Sequence, residues 1–120
     1  MFHVSQAPPT MTASLTGKAT LLAKGAAVNV ETIYTCSAGA SSADIFVDLT
    51  QRVRKDLITG SGFTRGGLTC DDAEHTATVT VLAENIAFKK GDALGEGSFV
   101  ACTEATCVEG SAPTAVVRIR

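Results

Sequence analysis

The stretch ADIFVDLTQRV, residues 43–53, decides the fold class. Ile45, Val47, Leu49 and Val53 fall on one side of an extended chain, and Asp44, Asp48, Thr50 and Arg52 on the other. Side chains alternate across a strand with period two, so this pattern yields one buried and one wetted face. A helix would place its apolar residues three and four apart instead. The same period recurs in VNVETIYTC (28–36), where Val28, Val30, Thr32, Tyr34 and Cys36 oppose Asn29, Glu31 and Thr35, and only Ile33 departs. In HTATVTVLA (75–83) the inward set is Ala77, Val79, Val81 and Ala83; in TAVVRIR (114–120) it is Ala115, Val117 and Ile119. Further strands are expected at 11–15, 19–23, 57–63 and 98–102.

Turn signals separate these runs: SAGASS, TGSG, RGG, CDD and KKGD. Gly60 and Gly62 of GSG, and Gly95 and Gly97 of GEG, are assigned to turns as well. They lack the lysine and helix that would make a glycine loop a phosphate cradle. No convincing amphipathic helix competes. The expected fold is all-β: an immunoglobulin-like antiparallel β-sandwich of seven to nine strands with a Greek-key path. A chain of 120 residues suits one domain, here 11–120, preceded by an extended N-terminal arm over 1–10.

Net charge is −2, and acidic and basic residues are mixed along the chain, which argues against a nucleic-acid footprint. The apolar runs are far shorter than the roughly 20 residues that span a bilayer, so no membrane segment is expected. No Lys/Arg-led apolar leader opens the chain. A secreted protein with this sequence would have shed its signal, with Met1 standing as a replacement start.

Four cysteines, Cys36, Cys70, Cys102 and Cys107, allow three disulfide connectivities, and sequence alone does not choose between them. Zinc would call for CxxC knuckles or nearby histidines. No CxxC occurs, and His3 and His75 lie far in sequence from Cys102 and Cys107. A thioredoxin-like centre also needs CxxC at a helix start. An even count in a small, strand-rich chain fits an oxidised, extracellular domain without a metal or cofactor. One wide and one tight spacing favour pairing Cys36 with Cys70, and Cys102 with Cys107.

Catalytic sets fail individually. No G-x-S-x-G elbow is present. His75 beside Asp71, Asp72 and Glu74 is the one acidic and imidazole cluster, and it is read as a solvated turn ahead of a strand. Asp44 and Asp48 share a strand face and belong to its wet side rather than to a glycosidase pair. RVRK, residues 52–55, is read as charge protecting an exposed strand edge, with a small patch for an anionic partner as the alternative. The expectation is a protein that is not an enzyme.

Three features suit a partner. Phe46 lies on the polar face between Asp44 and Asp48, where the core has no use for an aromatic ring. The ACTEATC loop, stiffened by a bridge, presents Thr103, Glu104 and Thr106 at reduced ordering cost. The arm FHVSQAPPT carries Phe2 and Val4 ahead of Pro8 and Pro9, which favour extended backbone.

Together TIYTC, CDDAEHTATVTV, FKKGDA, ACTEATC and VVRIR resemble small secreted immunoglobulin-like proteins of actinobacteria, over most of residues 30–120. The C-x4-C loop is also locally similar to that of neocarzinostatin-type apoproteins, which shelter an enediyne chromophore. The wide spacing between Cys36 and Cys70 departs from that family's short first loop. The first resemblance implies a secreted binding protein, an adaptor or accessory subunit of an extracellular assembly such as a secreted toxin particle. The second implies a small-molecule carrier. An exposed arm and a flat apolar patch would favour the adaptor, and an apolar concavity near the C-x4-C loop the carrier.

Overall fold

The computed structural model describes residues 8–64 and 67–120. The alternating segments become seven strands: β1 (Met11–Leu22), β2 (Ala27–Cys36), β3 (Ser42–Val53), β4 (Asp56–Phe63), β5 (Glu74–Ala83), β6 (Gly91–Cys102) and β7 (Cys107–Ile119). A single 3-10 turn, Ala23–Gly25, joins β1 to β2. Period two has its expected effect. Val28, Val30, Ile45, Val47, Leu49, Val79, Val81, Val117 and Ile119 are all at most 1% exposed, on the inner side of their strands. The segments expected at 11–15 and 19–23 are one strand, bent where the register shifts between Leu15 and Ala19 and where Gly17 takes a φ of 93°.

Spatial neighbours run β1-β2-β5-β4-β3-β6-β7 and return to β1, so the sheet is a closed, mixed barrel and not the open sandwich expected. Two short ladders make the difference. β4 meets β5 through Gly60–Ala83 and Ser61–Leu82, and β1 meets β7 in parallel through Lys18–Arg118 and Ala19–Ile119. Alternation states which face is buried and carries no information about edges, whose unpaired backbone groups gain by finding partners.

The glycines of GSG and GEG are strand residues, which corrects their assignment to turns. A Cβ on Gly60 would stand 2.6 Å from Leu82 O and 2.9 Å from Phe88 Cζ. A Cβ on Gly95 would meet Leu15 Cδ1 at 2.5 Å and Val117 Cγ2 at 2.9 Å. They are small so that β4 and β6 can approach their neighbours across a narrow interior. RVRK stands at the end of a strand rather than along a free edge: β3 pairs with β6 as far as Thr50, and Arg52 and Val53 pair with Leu57 and Asp56 of β4 alone. Arg54 and Lys55 form the two-residue turn between β3 and β4.

Phe88, in the segment between β5 and β6, is fully buried and plugs one end of the barrel. Its N–H donates to Gly25 O at 2.8 Å. Buried Gln51 holds the following residue: its Nε2 donates to Lys89 O at 2.8 Å, and Lys89 N–H donates to its Oε1 at 2.9 Å. At the other end the cysteines pair as Cys36–Cys70 and Cys102–Cys107.

Candidate partner-binding surface

The outer face of β4, β3 and β6 gathers apolar side chains that the interior does not use. Phe46 is 41% exposed and Phe63 48%. The two are directly opposed across the β3–β4 ladder, their ring centroids 6.3 Å apart and tilted by 40°. Leu82, 49% exposed on β5, stands opposite Ser61 and lines the same groove as both rings. The face is framed by acids, since Asp48 lies opposite Glu96 on β6 and Glu84 lines the groove below Leu82. Further along it, Leu94 and Val116 pair across β6 and β7, and Leu57 lines the depression beside them.

Phe63 and Leu82 were not among the residues expected from sequence. A signal for Phe63 exists. Once the turn is placed at Arg54–Lys55, with Val53 opposite Asp56, counting back along the hairpin brings Phe46 to Phe63. No local pattern brings Leu82 there, because it arrives on a strand separated from β4 by a long connection.

Phe46 also borders a second groove, lined by Ser98, Phe99, Val100, Glu109 and Ser111, which runs along β6 and β7 toward the tight disulfide. Phe99 is half-buried, and its ring lies over Gly110, where any Cβ would collide with it.

The loop closed by Cys102–Cys107 is organised around Thr103. That side chain is 9% exposed; its Oγ1 accepts from Ala105 N–H at 3.2 Å and Thr106 N–H at 3.1 Å. Thr103 N–H donates to Thr106 O at 2.7 Å. Thr103 therefore shapes the loop from within, whereas Glu104 and Ala105 are exposed at its tip and Thr106 is half-buried. Phe2 and Val4 lie outside the described residues. Pro9 is buried, and Thr10 N–H donates to Ser37 Oγ at 3.0 Å while its carbonyl accepts from Ser37 N–H, so the fold takes hold of the chain just before β1.

The acidic and imidazole cluster is a hydrogen-bonded turn. His75 Nε2 lies 2.7 Å from Asp71 Oδ1, which also accepts from Ala73 N–H at 3.0 Å. The His75 side chain, then the Ala73 amide, hold the Asp71 carboxyl below its ordinary range. Asp72 Oδ1 accepts from Ala38 N–H at 3.2 Å. Among the described residues no group of three or more His, Cys, Asp or Glu is arranged to hold a metal. Among the described residues no helix is long and apolar enough to cross a membrane. Comparison with protein-family models and with curated proteins yields no match.

Proposed function

We propose that this protein is a secreted, non-catalytic binding module of the immunoglobulin-like class, acting as an adaptor or accessory subunit of an extracellular assembly such as a secreted toxin particle. The observation that carries this reading is the exposed Phe46–Phe63 pair with Leu82 beside it. Aromatic side chains on an outer strand face lose nothing from the core when they are truncated and gain most when a partner covers them. Two disulfides support an oxidising, extracellular compartment. The two short ladders part the strands into β1-β2-β5 and β4-β3-β6-β7, and the run β3-β6-β7 with β4 beside β3 supports the immunoglobulin-like class, since it follows that class's CFG group with a C′ strand added.

The test is affinity capture from the producing organism's culture medium with mass-spectrometric readout, comparing the native chain with Phe46→Ala/Phe63→Ala. The double variant is expected to stay folded and lose the captured protein. Equal recovery of the same protein by both would end this reading of the face. Deleting residues 2–7 separates a contribution of the arm from that of the aromatic pair.

The groove between Phe46 and Phe99 is the observation that favours the carrier alternative. Titration with apolar fluorescent dyes distinguishes the two. Saturable binding abolished by Phe99→Ala supports a carrier, and its absence leaves the adaptor.

A further inference from the structure

Lysines, arginines and carboxylates that are interspersed along the chain separate to opposite ends of the barrel. The strands run from one end to the other: β1 starts opposite Cys36 and finishes opposite Ala27. Consider the connecting segments together with the three terminal residues of each strand. The Phe88 end then holds Lys24, Arg52, Arg54, Lys55, Lys89, Lys90, Arg118 and Arg120 against Asp56, Glu84 and Asp92, eight cations to three anions, a net side-chain charge of +5. The disulfide end holds Asp44, Asp71, Asp72, Glu74, Glu104 and Glu109, and its described residues include no lysine or arginine, a net of −6 for the described side chains; Arg65, in the sequence between β4 and β5, lies outside the described residues.

All eight cations are exposed. Of these eight, only Arg118 is in an ion pair among the described residues, with Asp92 at 3.1 Å. Their loops are tied to one another: Gly25, next to Lys24, bonds Phe88, and Gln51 bonds Lys89. Arg120 N–H and C=O are bonded to Ala19 and Leu21. Lys24 and Arg54 adopt φ of 56° and 57°, a left-handed conformation that Gly or Asn meets more cheaply. Basic side chains stand at both turns nonetheless. Exposed Leu22, Leu57 and Ile86 lie among the cations and add the apolar area that charge alone does not supply.

We propose that copies of this protein associate head to tail, the basic Phe88 end of one docking on the acidic disulfide end of the next. The occupant is set by complementarity: a surface of the opposite sign and similar magnitude exists on every copy. Because the two patches differ, the contact is heterologous and leaves a free end at each step, so it builds chains rather than closed dimers. This inference stands independently of the adaptor reading.

Sedimentation equilibrium over a range of concentrations tests it. At ~0.01 M ionic strength the weight-average mass should climb with concentration past that of two chains. At ~1 M, where the Debye length has shortened from ~30 Å to ~3 Å, it should return to one chain. Lys55→Glu/Lys89→Glu/Lys90→Glu removes the basic end, and Glu74→Lys/Glu104→Lys/Glu109→Lys the acidic one. Each variant should be monomeric alone, and an equimolar mixture should give a 1:1 dimer and nothing larger, because only one complementary contact survives. The salt response of the native chain needs no variant and covers the event that one misfolds. A native chain monomeric at low salt overturns the proposal, as does a mass unmoved by salt or a mixture that fails to dimerise. Monomeric protein that instead sediments with phosphatidylglycerol vesicles through the same lysines would assign the basic end to an anionic membrane and also overturn it.

Discussion

The two ends of the barrel are held by different physics. At the disulfide end the β1–β7 ladder is open, and a groove lined by Thr12, Ser14, Phe99, Ser111 and Pro113 lies along the seam. Both covalent bridges are there: Cys36–Cys70 anchors the end of β2 to the segment before β5, and Cys102–Cys107 closes the β6–β7 turn. The Phe88 end has no cysteine. It is closed by the parallel β1–β7 pairs, by the bonds of Gln51 and by a fully buried aromatic ring. Cross-links sit where backbone pairing stops, and burial takes over where it continues. A disulfide acts largely by restricting the unfolded chain, whereas a plug acts through transfer from water and the cavity its loss would leave.

Removing the plug should have the largest effect. Phe88→Ala should cost about 3 to 5 kcal/mol in urea unfolding while both disulfides stay oxidised. A loss below about 1 kcal/mol would show that the Phe88 end does not depend on its ring. Next comes the wide bridge. Cys36→Ala/Cys70→Ala opens a loop of sequence separation 34 and should cost about 2 to 5 kcal/mol. If peptide mapping of the native chain found free thiols or a Cys36–Cys102 link, this half of the comparison would collapse.

The tight bridge, of sequence separation 5, should matter less. Cys102→Ser/Cys107→Ser should cost about 2 kcal/mol by loop entropy. Hydrogen exchange should rise at the amides of Ala105 and Thr106, which the Thr103 hydroxyl now holds. Unchanged protection there would mean that Thr103 suffices to shape the loop.

The smallest effect is electrostatic. Asp71 has its folded-state pKa lowered, first by the His75 side chain and then by the Ala73 amide. A lowered carboxyl contributes stability that is complete above its unfolded pKa and is lost as pH falls through the folded value, so the contribution belongs to neutral and mildly acidic solution. His75→Ala should raise the Asp71 pKa toward the ordinary carboxylate range, as followed by NMR titration of its carboxyl carbon. A titration curve that does not move would assign the shift to the backbone amide alone.

Much of the surface was legible from local pattern, and the exceptions are instructive. Phe46 could be placed on an outer face because its neighbours in the chain alternate, and the structure leaves it exposed. Phe63 could be found only by fixing the hairpin turn, and Leu82 only by knowing that β5 returns beside β4. Gln51 and Phe88 escaped for the opposite reason. Each breaks a local rule, one as a buried polar residue and the other as a core residue within a connecting segment, and each is satisfied by a partner 38 or more residues away or by the barrel interior.

By itself, the sequence determined what a period of two determines: the inward and outward sides of the strands, hence an all-β class with a Val- and Ile-rich interior. It also favoured a wide and a tight cysteine pair, and the structure forms both. Only the tertiary structure decided that the sheet closes, that Gly60, Gly62, Gly95 and Gly97 are strand residues, and that charges interspersed along the chain collect at opposite ends. The physical reason is range. Side-chain alternation is a property of adjacent residues, whereas edge pairing, close approach and charge segregation depend on strands that meet only after the chain has turned back several times.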